Sequence, residues 1–286
     1  AGVPEQLFVN ICLDHETTAA LIADGLFDFI NFTGSVGGGR AMERAAAGTF
    51  TGVGTELGGK DPGYVMDDAD LDAAVATLVD AAMFNSGQCC CGIERIYVHE
   101  SLYDDFVARA VATVNDYQLG NPLDSDTTMG PMAHVRFAAH VRHQIDEAVA
   151  TGAVAHIARM AADDDGAYLT PQVLTNVTHA MDVMREESFG PVVGIMKVRD
   201  DDEAVAMMND SHYGLTASLW TGDLDRAEAV GNRVETGTVF LNRADYLDPG
   251  LCWTGVKDTG RGGGLSVIGY HNLTRPKSYH LKKVIS

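Results

Sequence analysis

The sequence predicts an α/β fold in which parallel strands are covered by helices. Three observations carry this. Amphipathic helical patterns alternate with short apolar runs along most of the 286 residues, and 46% hydrophobic content is enough to build a sizeable core. Near the start, an apolar run passes through a Gly-Ser turn directly into a helical pattern, which is the connection such folds are built from.

The elements follow in order. Leu7, Phe8, Val9, Ile11 and Leu13 form a short buried-strand pattern with no lead-in, like the interior of a domain. Phe29, Ile30 and Phe32 make a strand that enters Thr33-Gly34-Ser35, after which RAMERAAAG is helical. Strand, turn and helix together can bind an anion at the helix N-terminus, although Gly34, Gly37, Gly38 and Gly39 do not have the spacing of a dinucleotide G-x-G-x-x-G. In TELGGKDPGYVM (55–66), Glu56 stands beside Leu-Gly-Gly, a carboxylate on a loop where the backbone bends tightly. Over 67–84, Asp70 is an N-cap and Leu71, Val75, Leu78, Val79 and Ala82 recur at helical spacing; Gly87 in Asn85-Ser86-Gly87 is the stop. Further helices are expected at 101–117, 133–151, 201–209 and 223–234, and strands at 94–99, 191–197, 215–221 and 237–242.

Charge excludes some partners. The formal net charge is −20 with a pI near 4.6, a surface that repels nucleic-acid phosphates and anionic membranes. No apolar run reaches the length of a membrane span, and no secretory leader opens the chain. Asp163, Asp164 and Asp165 read as a solvated loop. In the helix at 133–151, Ala138, Val141, Ile145 and Val149 form the buried stripe, which leaves His140, His143 and Glu147 on the solvated face and argues against a metal site. The glycines of TGRGGGLS (259–266) read as a flexible structural turn.

The five cysteines are Cys12, Cys89, Cys90, Cys91 and Cys252. An odd count with three adjacent members is a poor disulfide framework and points to a reducing compartment. Zinc is disfavoured, because neighbouring side chains on a strand point to opposite faces and three consecutive thiols do not converge on one ion. Two readings stay open on local sequence: one reactive thiol with two bystanders, or three buried small hydrophobes. The position, a sharp connection from helix to strand, lets a thiol project into a cleft.

FTGS (32–35), ELGGK (56–60) and FNSGQCCC (84–91) occur in this order. GNPLD (120–124), GPM (130–132), EESFGPV (186–192), NDSHYGLTASLWT (209–221) and ETGTVFLN (235–242) follow. This ordered set resembles the NAD(P)-dependent aldehyde dehydrogenase superfamily over essentially the whole chain. The resemblance implies that Cys90 is the nucleophile, that Glu56 is the general base, and that the Cys90 backbone N–H helps to hold the oxyanion. Cys89 and Cys91 are then neighbours on the opposite side of the turn without a catalytic duty. The implied chemistry is thiolate addition to an aldehyde, hydride loss to the nicotinamide, and hydrolysis of the resulting thioester by water that Glu56 activates. The implied cofactor is NAD or NADP, with Gly34 and Ser35 on the pyrophosphate side and Leu57 flanking the nicotinamide. Glu187 would hold the ribose hydroxyls, with Phe189 packed beside it. No metal is implied.

On this template residues 1–57 are the C-terminal part of a Rossmann-like NAD(P)-binding domain, 58–262 a catalytic domain, and 263–286 an oligomerisation arm. Tyr279, Leu281 and Val284 in the arm alternate as in an added strand. The implied protein is cytoplasmic and a homodimer or homotetramer. The loop at 244–255 would wall an aldehyde tunnel, where Tyr246, Leu247, Leu251 and Trp253 suit an apolar or aromatic aldehyde and Arg243 lies near enough to serve a carboxylate. Complete members carry a further N-terminal segment with most of the cofactor-domain strands, an oxyanion-hole Asn and the residues that choose NAD or NADP. The chain is therefore expected to be a fragment or a truncated form with half a cofactor site. Two alternatives accompany the main reading: a non-catalytic structural or oligomerisation fragment, and an enzyme that passes the acyl group to coenzyme A.

Overall fold

The computed structural model describes residues 2, 4–164, 166–244 and 246–283; Asp165, Asp245 and Val284 of the sequence expectations lie outside them. In chain order its elements are α1 (His15–Ala23), β1 (Phe29–Thr33), α2 (Val36–Ala46), β2 (Gly52–Glu56), β3 (Asp61–Val65), α3 (Leu71–Met83) and β4 (Ile93–His99). Then come α4 (Tyr103–Asn115), α5 (Val135–Ala150), β5 (Val154–Ala155), β6 (Gln172–Thr175), α6 (Asp182–Arg185) and β7 (Val192–Val198). The last are α7 (Asp201–Asn209), β8 (Thr216–Trp220), α8 (Leu224–Gly231), β9 (Thr238–Leu241) and α9 (Ser266–Asn272).

The α/β class is as expected, with strands β1 and β2 pairing in parallel as a small sheet and seven strands forming a large one in the order β5-β6-β7-β4-β3-β8-β9. Among the described residues, the β5–β6 pair alone in the large sheet is antiparallel. Its central strands are buried on both faces, and alternate residues serve opposite layers. Val65, Ile96, Val98 and Trp220 pack with α3 and α4, whereas Tyr64, Tyr97 and Leu219 pack with α7 and α8. A third cluster joins α5 and α6 to β6 and β7. Pro62, a residue that cannot donate to a ladder, falls where the β3–β4 register shifts.

Local chemistry sets the helix starts. The side chains of Asp70, Asp200 and Asp223 accept from backbone N–H groups in the first turns of α3, α7 and α8. The helix at 201–209 has the expected bounds, and α3 begins behind Asp70 as expected.

Several expectations are corrected. Leu7, Phe8, Val9 and Ile11 form no strand and are exposed. Glu56 closes β2 rather than sitting on a loop. Val149 is exposed, and Ala148 with Gln144 takes its place in the buried stripe of α5, because 3.6 residues per turn carry position 149 past the buried face. Asp163 is not solvated: its carboxylate is 6% exposed and lies between Arg142 and Arg159 while accepting from Thr170 N–H. In 263–286 the described residues form the short α9, followed by exposed chain without regular structure.

Candidate active site

The site lies where the C-terminal ends of β1 and β2 meet the N-terminal ends of β3, β4 and β7. Each short segment that crosses this seam carries residues singled out in the sequence. A cleft of about 1570 Å³ opens there, lined by Glu56, all three adjacent cysteines, Phe84, Trp253 and Arg261, among others.

The cysteine turn is delivered by an unusual backbone. After α3 ends, Asn85, Ser86 and Gly87 all take positive φ, at 52°, 56° and 69°. Two of these residues are not glycine, so the turn must be held from outside. Ser86 Oγ donates to the Gly130 carbonyl at 2.7 Å, and Gln88 Oε1 accepts from Ala133 N–H at 2.7 Å. The Gly-Gln pair is thus fastened to the GPM segment. Gly92 N–H then closes a turn on the Cys89 carbonyl at 3.1 Å.

That turn overturns the expectation that successive thiols diverge. Cys89 Sγ and Cys91 Sγ stand 3.5 Å apart, and all three cysteines line the same cleft, because residues 89–91 are turn and not strand. The trio titrates as a cluster: hydrogen bonds from Cys90 and Cys91 pull the Cys89 thiol far down, while Cys90, donating to that sulfur and facing its charge, is pushed up. Cys91 is pushed up as well. Among the described residues no group of three or more His, Cys, Asp or Glu is arranged to hold a metal ion.

Glu56 sits half-buried at the end of β2, and burial raises its carboxyl above the usual range. The glycine-rich segment after Thr259 is no free turn. Thr55 N–H donates to the Arg261 carbonyl at 2.6 Å, Leu57 N–H to the Thr259 carbonyl at 3.0 Å, and Arg261 N–H to Thr55 Oγ1 at 2.7 Å. It runs along β2 as a strap, and a Cβ on Gly262 would come within 3.0 Å of Glu56 Oε1. Arg261, which sequence reasoning left unassigned, thereby reaches the cleft. Its guanidinium pairs with Glu43.

Two glycines join the remaining parts. A Cβ on Gly58 would fall 2.2 Å from Glu187 Oε2, and one on Gly59 would fall 2.5 Å from the Cys90 carbonyl oxygen. Only bare backbone allows both approaches. Gly59 N–H also donates to Glu187 Oε1 at 3.2 Å. Burial and the nearby Glu94 charge push the Glu187 carboxyl up to about 7. Phe189 is half-exposed at φ +50°.

Gly34 N–H donates to the Glu56 carbonyl at 3.1 Å. Ser35 caps α2 by accepting from Gly38 N–H at 3.2 Å. Leu57 is buried, with its side chain against Gly39 of α2. Of the seven predicted residues, Cys90 and Glu56 line the cleft, while Gly34, Ser35, Leu57, Glu187 and Phe189 are not among its lining residues. Arg243 stacks its guanidinium 3.8 Å from the centroid of the Tyr246 ring. It is not among the cleft residues.

Comparison with known proteins bears on this arrangement. Residues 1–279 match the aldehyde dehydrogenase family. A succinate-semialdehyde dehydrogenase [NADP(+)] of Deinococcus radiodurans is 36% identical over 277 residues, covering 97% of this chain and 58% of that protein. Lactaldehyde dehydrogenase of Escherichia coli is 34% identical over 284 residues, covering 98% and 59% respectively. The solved structure of Gox0499 superposes with a TM-score of 0.93 at 37% identity over 98% of this chain and 62% of that one. That of 3,6-anhydro-L-galactose dehydrogenase in complex with NAP gives 0.85 at 33% identity over 89% and 54%. The chain spans about 58% of the length of the curated relatives it matches.

Proposed function

Because the chain belongs to the aldehyde dehydrogenase family, we propose that its cleft oxidises an aldehyde to the carboxylic acid with NAD+ or NADP+. The observation that carries this is the glycine pair: Gly58 and Gly59 bring Glu187 and the Cys90 backbone against one loop, immediately after Glu56. The site fits a dinucleotide on two counts. Gly34 and Ser35 present the N-terminus of the eleven-residue α2 toward a pyrophosphate, and the Glu187 carboxylate can accept two hydrogen bonds from a ribose diol. Leu57 and Phe189 would flank the nicotinamide, which when bound supplies the hydride acceptor.

The chain's own residues do the rest. Cys90, having lost its proton, attacks the carbonyl carbon through its sulfur, and the Cys90 N–H stabilises the developing oxyanion. Collapse of the alkoxide expels hydride and leaves a thioester on Cys90. Glu56 then takes a proton from water as that water attacks the thioester, and the acid departs with Cys90 restored as thiolate. A carboxyl held above its usual range is a stronger base for this step. Glu56 in the same cleft as Cys90 supports hydrolysis over transfer to coenzyme A.

Leu247, Pro249 and Trp253 in the cleft wall support an apolar or aromatic aldehyde. Arg261 in the same cleft, with relatives named for succinate semialdehyde, makes a carboxylate-bearing aldehyde the necessary comparison. We read the working protein as cytoplasmic and a homodimer or homotetramer. The odd cysteine count with three adjacent members supports a reducing compartment, and among the described residues no helix is long and apolar enough to cross a membrane.

The test is NAD(P)H formation by the protein expressed from its complete reading frame, with an aldehyde panel, beside Cys90→Ala. Activity lost in the variant is expected. A folded protein inactive with every aldehyde and both dinucleotides would overturn the reading in favour of a structural role, and turnover that requires coenzyme A and yields acyl-coenzyme A in place of the acid would overturn the hydrolytic step.

A further inference from the structure

Behind the cleft lies a buried charge pair that the chemistry above does not use. Lys60, the last residue of ELGGK, is 1% exposed, and Glu94, on β4, is 4% exposed. Lys60 Nζ donates to Glu94 Oε2 at 2.5 Å and to Ser188 Oγ at 3.1 Å. Glu94 accepts two further bonds, both from backbone: Ser188 N–H to Oε2 at 2.8 Å and Phe189 N–H to Oε1 at 2.9 Å. Both of its oxygens are therefore committed, and all three donors belong to Lys60 and the short segment that follows Glu187.

We propose that Glu94 is a positioning residue for the cofactor: with Lys60 it clamps the 187–189 turn and so fixes the Glu187 carboxylate and the Phe189 ring where the nicotinamide riboside is held. The inference rests on the role given to Glu187 and Phe189 above. Three observations argue for it. Phe189 has a φ of +50°, a backbone well that a bulky residue keeps only when its surroundings over-determine it. The clamp supplies that constraint through the Phe189 N–H itself. Next, Glu187 is held from its other side by Gly59 N–H, the neighbour of Lys60, so the adjacent Gly59 and Lys60 hold Glu187 and Ser188 while Glu94 holds Ser188 and Phe189. Finally, the job needs a carboxylate. A glutamine would place an NH2 group where one of the backbone donors now finds an acceptor. A merely space-filling buried pair has no such requirement, and isosteric apolar replacement often leaves stability unchanged.

The test uses the protein from its complete reading frame and Lys60→Met/Glu94→Gln, which removes the pair without stranding a buried ammonium. Three quantities are measured: the dissociation constants for NAD+ and NADP+ by calorimetry, the rate of Cys90 alkylation by iodoacetamide, and the far-ultraviolet circular dichroism. The clamp predicts dinucleotide binding weakened about tenfold or more, with alkylation and dichroism unchanged. Equal affinity in both proteins would overturn it, as would an equal loss of Cys90 reactivity, which would mean general disruption. Should the double variant not fold, Glu94→Asp keeps the charge opposite Lys60 while drawing it back from the Ser188 and Phe189 N–H groups. It is expected to weaken binding in the same direction, and unchanged affinity there overturns the clamp too. If the unaltered protein binds neither dinucleotide, the cofactor reading itself fails and the clamp falls with it; if it binds and the variants bind equally, only the clamp fails.

Discussion

Replacing Glu187 by glutamine should make the protein more stable at neutral pH than at acid pH, relative to the unaltered chain. Burial and the charge of Glu94 lift the Glu187 carboxyl from an ordinary 4.5 to about 7. The sign follows from linkage. Below about pH 4.5 the group is protonated in both folded and unfolded chains and contributes nothing to the pH dependence. Between the two values the folded chain holds a proton that the unfolded chain has lost, so stability falls as pH rises. Above about 7 the folded chain carries a buried carboxylate and the penalty is complete. Each pH unit of displacement is worth about 1.4 kcal/mol, so the full penalty is about 3 kcal/mol. Glutamine keeps an acceptor for Gly59 N–H but cannot ionise. Urea unfolding of both proteins, followed by circular dichroism from about pH 4.5 to about pH 8, gives the difference curve. It isolates this group, because the other raised carboxyls are common to both chains. A rise of about 3 kcal/mol in favour of the variant across that interval is expected. Two parallel curves would refute the placement of Glu187 against Glu94.

Three further outcomes are expected. Glu56→Gln should keep a single burst of NAD(P)H but lose steady turnover by about 100-fold or more, with acyl-protein accumulating in intact mass spectra; undiminished turnover would remove Glu56 from the water-activating role. Gly58→Ala should destabilise the fold by about 1–3 kcal/mol in urea, since its methyl group would meet Glu187 Oε2, and a variant as stable as the original would show the two are not in contact. Cys89→Ala should make Cys90 ionise at lower pH, because the neighbouring thiolate that now pushes it up is gone; the pH profile of iodoacetamide labelling, mapped to Cys90, should move down, and a profile that stays in place would separate the thiols.

Much of this was readable in the sequence, for reasons that differ from place to place. The helix behind Asp70 was legible because a side-chain cap is a local device, complete within four residues, and that at 201–209 because its amphipathic pattern is local too. The candidate site residues were legible because the motifs that carry them stand in one order along the chain. What the sequence hid depends on partners distant along the chain. The Lys60–Glu94 pair joins residues 34 apart, and Glu94 sits in a run that reads simply as strand. The strap from Thr259 to Gly262 reads as a loose turn because its glycines are explained only by the closeness of β2. The run from Leu7 to Leu13 misled for the opposite reason: an apolar pattern specifies a burial preference, and burial needs a neighbour that the described residues do not provide.

The thiol turn shows why a correct motif can still carry a wrong local geometry. Strand periodicity would send Cys89 and Cys91 away from Cys90, yet three successive left-handed residues before Gln88 turn the chain so that the cysteines fan into one cleft. That turn is affordable only because Ser86 and Gln88 are anchored on the segment from Gly130 to Ala133. The anchoring segment in turn leads into α5, whose Val141 packs so closely on Gly190 that a Cβ there would come within 2.5 Å. Gly190 follows the Glu187–Phe189 turn directly. The nucleophile loop and the proposed ribose loop are therefore set by one continuous run of packing contacts. A substitution that shifts α5 should disturb Cys90 reactivity and dinucleotide affinity together, whereas one confined to the Lys60–Glu94 clamp should separate them.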